Sequence, residues 1–132
     1  MRPGEDCLSC HSEGAGRRAP TWSAGGTVYD RADAAANDGV EGVDVVLSRP
    51  DGGMIETLRT NAAGNFYTAT PLPQGFRVAL EYAGERIDMP CPPPAGLCNA
   101  CHSDPPIGQA PGRIYVPQGA DPTRPQFDCG NF

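Results

Sequence analysis

The chain has 132 residues, the length of one ordinary domain, a formal net charge of −6, and ten basic residues that are all arginine. The lack of lysine excludes Schiff-base and phosphate-loop chemistry, and scattered arginines in an acidic chain disfavour a nucleic-acid partner. Leu, Ile, Val and Phe number only 21, about 16%, against 32 Gly and Pro. Aliphatic burial alone does not account for a fold at that level, so the six cysteines become candidates for the missing order.

Residues 1–24 read as a loop-rich arm carrying the only tryptophan, Trp22. Its first residues, "MRPGEDC", hold no apolar export segment, and the expectation is that a leader has been removed. No run approaches the roughly 20 apolar residues of a membrane span. From residue 25 to 89 the pattern is that of strands. "GGTVYD" (25–30) is the first, and "GVDVVLSR" (42–49) places Val43, Val45 and Leu47 on one face. "PDGG" (50–53) turns the chain into "MIETLRT" (54–60), making a hairpin. After "NAAG" come "NFYTAT", "FRVALEY" (76–82) and "ERIDM" (85–89). In "FRVALEY", Phe76, Val78, Leu80 and Tyr82 are expected to face inward, with Arg77, Ala79 and Glu81 outward. "RADAAAN" (31–37) has helical composition but is short enough to be a loop. Residues 90–132 are Pro-rich, with one strand-like piece at "RIYV" (113–116). The fold class is therefore mainly β: a small antiparallel β-sandwich with loop-rich segments at both ends, packed as one unit.

Both terminal segments contain the same pattern. Cys7, Cys10 and His11 stand in "CLSCH", and Cys98, Cys101 and His102 in "CNACH". In C-x-x-C-H, two thiols three residues apart can add to the two vinyl groups of a haem while the following imidazole binds its iron. At this chain's composition, chance gives roughly 0.004 such motifs, and there are two that use both histidines of the protein. A redox dithiol, a four-cysteine zinc site and plain disulfide scaffolding compete with this reading. The zinc site leaves both trailing histidines unexplained, and the dithiol needs a helix start and a βαβ context that the sequence does not show. The motifs thus point to two covalently bound haem c groups, with Cys7, Cys10, Cys98 and Cys101 as attachment residues and His11 and His102 as proximal iron ligands.

With both histidines used, bis-histidine ligation within one chain is excluded. A methionine thioether is the alternative sixth ligand and raises the reduction potential. Met89 and Met54 are the candidates, each of which has an ordinary packing role as the competing reading; Met1 is terminal. An open or water-bound iron is the remaining possibility. Cys91 and Cys129 are left over, and an intrachain bridge between them would contribute roughly 3–4 kcal/mol by loop closure. An intermolecular bridge or two free thiols are the alternatives.

The chain resembles c-type cytochromes in which haem motifs flank a transthyretin-like domain. "GTVYD", "GVEGVDVVL" and "TNAAGNFYT" are similar to the strands and turn of the carboxypeptidase regulatory-like type, a β-sandwich of transthyretin-like or Ig-like kind. "CNACHSDPPIGQAPGRI" looks like the C-terminal haem segment of such proteins. The resemblance implies electron transfer in the periplasm or at the cell surface, where disulfides also persist. It implies no catalysis. The expected partners are redox proteins, docking through a basic face if charge steers them, or neighbouring copies in a conducting extracellular filament. A haem peroxidase is a third class, without a further histidine or lysine for acid–base help.

Overall fold

The computed structural model describes residues 2–14, 19–108 and 110–117. Six strands fall where alternation and turn residues put them: β1 (Ala24–Tyr29), β2 (Asp44–Ser48), β3 (Met54–Arg59), β4 (Asn65–Thr68), β5 (Arg77–Tyr82) and β6 (Glu85–Asp88). Two-residue strands β7 (Gly96–Leu97) and β8 (Ile114–Tyr115) follow, and each motif contains a one-turn helix, α1 (Leu8–His11) and α2 (Cys98–Cys101). β8 lies inside the expected "RIYV". Neither β7 nor the helical turns were expected.

The strands form two sheets, one ordered β4-β1-β7 with β8 also on β1, the other β3-β2-β5-β6. The second is antiparallel throughout. The first is mixed, because β7 and β8 both run parallel to β1. Parallel pairing needs a long crossover rather than a hairpin, and between β1 and β7 residues 30–95, with β2 to β6 among them, make it. The β2–β3 hairpin closes as expected, with the Asp51 carboxylate accepting the Gly53 N–H at 2.9 Å and Gly52 at φ 90°.

Between the sheets lies a core of Val28, Val43, Val45, Leu47, Phe66, Phe76, Leu80 and Val116. Two inward–outward assignments on β5 are corrected. Ala79 is only 3% exposed, since a lone methyl is covered by its longer cross-strand neighbours Val46 and Asp88. Tyr82 is 36% exposed because it ends the strand, paired with Glu85 at the Gly84 turn and beyond the core.

"RADAAAN" is a loop for a reason the structure supplies. Its carbonyls are engaged elsewhere: Ala32 accepts the Arg113 N–H, Ala34 accepts Arg113 Nε, and Ala36 accepts the Tyr29 hydroxyl. Arg113, itself buried, stacks its guanidinium over the Tyr29 ring at 4.8 Å. The C-terminal segment is thereby fixed along β1.

Candidate functional site

The two motifs fold alike. The Cys7 carbonyl accepts the His11 N–H at 3.1 Å, and the Cys98 carbonyl accepts the His102 N–H at 3.0 Å. One helical turn therefore brings Cys, Cys and His, at i, i+3 and i+4, onto one face. Asp6 Oδ1 accepts the Leu8 N–H at the start of the first turn, which fixes the chain's entry into α1.

Both imidazoles are held by the same device. His11 Nδ1–H donates to the Pro20 carbonyl at 2.8 Å, and His102 Nδ1–H donates to the Gly112 carbonyl at 3.0 Å. A carbonyl only accepts, so the proton belongs on Nδ1 and the Nε2 lone pair is left for a metal. Burial lowers the His102 pKa, with the Gly112 carbonyl opposing, so its ring is neutral at pH 7.

Two adjacent glycines of β1 receive the two motifs. A Cβ on Gly25 would stand 3.1 Å from Cys7 Cβ, and one on Gly26 would stand 2.9 Å from Cys98 Cβ and 2.8 Å from the Phe66 ring. Glycine in a strand marks such close approach. Neighbouring residues of a strand point to opposite faces, so the motifs flank β1, with Cys7 and Cys98 Cβ atoms within about 12 Å of each other. The "GG" doublet was the available signal, read in the sequence only as the start of a strand.

Asn99, in a variable position of the second motif, was missed entirely. It is 3% exposed. Its Oδ1 accepts the Thr27 N–H at 2.9 Å, while Nδ2 donates to the Glu5 carbonyl at 2.9 Å and to Thr27 Oγ1 at 3.1 Å. The Val28 N–H donates toward β4, to Gly64, so the Thr27 N–H faces the other edge of β1. There Asn99 fills the gap between β7 and β8 with a side-chain amide. Thr27 Oγ1 also accepts the Gly4 N–H and donates to Asn65, which fills its capacity. The segments before Cys7 and after Cys98 are thus tied to one another through β1.

Beside the second motif opens a cleft whose empty space, counted out to its mouth, is about 1240 Å³. Phe66, Leu80 and Ile87 form its inner wall, and Cys98, Cys101 and His102 share it with Met89. Met89 is held by its backbone N–H to the Val78 carbonyl at 2.9 Å. Met54 is placed differently. It is 65% exposed on edge strand β3, its sulfur accepts a hydrogen bond from Thr57, and it borders a separate depression with Arg49 and Pro71 where no motif residue stands. Of the two methionines, only Met89 lines the same cleft as a motif histidine.

The four motif cysteines are free. Burial, reinforced by the charge of Cys7, pushes the Cys98 thiol up to about 12; burial, then Asp6, raises Cys7. Cys91 is disulfide-bonded, and its expected partner Cys129 lies outside the described residues, as does Met1. Among the described residues no three His, Cys, Asp or Glu side chains stand together as a metal-holding group. A covalent haem fits what is present: paired free thiols, an imidazole with Nε2 released, and, at the second motif, an apolar cleft with a thioether in it. No helix among the described residues is long and apolar enough to cross a membrane.

The first motif has an aromatic neighbourhood that spacing alone did not reveal. The His11 imidazole lies flat on the Trp22 indole, with centroids 3.5 Å apart and planes 5° apart. Trp22 in turn stacks on Tyr67 of β4 at 4.3 Å. The Trp22 backbone N–H donates to the His11 carbonyl at 2.8 Å, which holds the two residues side by side. No protein-family profile, characterised protein or solved structure matches this chain.

Proposed function

We propose that the chain is a dihaem c-type cytochrome, an electron carrier working outside the cytoplasm. The observation that carries this is the shared posture of the two histidines, each on a one-turn C-x-x-C-H helix with Nδ1–H bound to a carbonyl. Cys7, Cys10 and His11 would hold one haem and Cys98, Cys101 and His102 the other, to which Met89 would supply a thioether. Bound haem iron supplies one-electron chemistry between its ferrous and ferric states.

The chain's own work is positional. The carbonyls of Pro20 and Gly112 set the tautomer and aim Nε2. Gly25 and Gly26 let the two attachment helices approach a single strand, which keeps the two sites near one another. Pro93, Pro94 and Ile114 of β8 line the second site with apolar side chains.

Voltammetry of the exported protein on an electrode tests this. Two reversible one-electron waves are expected, and a Cys98→Ser/Cys101→Ser double variant should retain one. A silent electrode, with a protein that is colourless in solution, contradicts the proposal.

A further inference from the structure

The two sites share a motif and the carbonyl that holds its imidazole, and they differ in the side chains around it. At the second, His102 is half-buried, as His11 is, and lines an apolar cleft that Met89 also lines. At the first, Cys10 is exposed, the imidazole is stacked on Trp22, and the stack ends on Tyr67, which is 45% exposed. Both described methionines are placed elsewhere, one in the cleft and one beside the β2–β3 hairpin.

Three physical effects follow, and they have the same sign. A thioether ligand favours ferrous iron more than a nitrogen or water ligand does. An apolar surround opposes the extra positive charge of ferric iron, while exposure to water accommodates it. An indole face against a metal-bound imidazole favours the state in which that ring is more positive, the ferric one, as a cation–π contact does. The first two favour the reduced state at His102, and the second and third favour the oxidised state at His11.

We propose, on the basis of the dihaem reading, that the two sites form an ordered pair: the His11 site holds the more reducing iron and the His102 site the more oxidising one. Electrons then enter at the open N-terminal site, near Cys10 and Tyr67, and collect in the cleft around His102. The transfer moves one electron from ferrous to ferric iron, with no bond or proton change. A one-electron donor reloads the His11 site and a one-electron acceptor empties the His102 site. Trp22 is a positioning residue in this scheme, acting through His11.

Stepwise reduction of the unaltered two-haem protein, followed by paramagnetic NMR, tests the order directly. The haem methyl signals near Trp22 and near Met89 identify the sites. The signals of the His102 site should convert first. Met89→His should lower the upper potential, Trp22→Leu should raise the lower one, and Trp22→Phe, which keeps a stacking ring, should restore most of the shift. Simultaneous conversion, conversion of the His11 site first, or a Trp22→Leu shift shared equally by both sites overturns the ordering. A chain that carries no haem fails earlier and defeats the function reading itself, so the two failures are distinguishable.

Discussion

Replacing Asn99 with leucine tests how the two haem motifs are joined. The change keeps the branched heavy-atom skeleton and removes all three hydrogen bonds to Thr27 and Glu5. The Thr27 N–H has no substitute acceptor on that edge of β1, because β7 ends at Leu97 and β8 begins at Ile114. Stranding it costs about 1–3 kcal/mol, and the two lost bonds from Nδ2 add roughly 1 kcal/mol together once water reaches the exposed Glu5. A total of about 2–4 kcal/mol corresponds to a fall in Tm of roughly 6–16 °C for a domain of this length. Calorimetry of the haem-loaded protein reads it. A melting point within about 2 °C of the parent would show that Asn99 does not bridge the segments and would refute the reasoning.

Three further outcomes follow from the same geometry. Gly26→Ala should destabilise by about 1–3 kcal/mol in urea unfolding, because the new Cβ meets Cys98 and Phe66 at 2.9 and 2.8 Å, and Gly25→Ala, with 3.1 Å to Cys7, should cost less; the reverse order contradicts the packing. In the haem-free chain at pH 8, iodoacetamide should label exposed Cys10 well before Cys98, whose thiol burial pushes up to about 12. The raised value means that the neutral thiol is preferred in the fold, a contribution present below the ordinary thiol pKa and lost as pH climbs toward 12; equal labelling rates would count against this burial. Met89→Ala should abolish a methionine-to-iron charge-transfer band in the far red, and an unchanged spectrum removes Met89 as a ligand.

The strands were legible because their determinants are local. Val43, Val45 and Leu47 alternate, "PDGG" and "NAAG" supply the turn chemistry, and each of β1 to β6 begins or ends within two residues of expectation. The motifs were legible for the same reason, since five consecutive residues carry all the spacing. What escaped depends on contacts between distant segments. Nothing in "CNACH" says that Asn99 completes an edge of β1, 72 residues away, and nothing in the 11-residue interval from His11 to Trp22 says that their rings stack. The parallel pairing of β7 and β8 was missed because two-residue strands have no period to read. Composition left Met54 and Met89 open as ligands; only the fold separates a thioether at an exposed hairpin from one inside the cleft.

The central claim is that each motif carries a covalently attached haem. The most direct measurement is the intact mass, under denaturing and reducing conditions, of the protein exported from a host able to attach haem. The account predicts the mass of the polypeptide plus two haems, each released only by cleaving its thioether bonds. A mass equal to the polypeptide alone would contradict it.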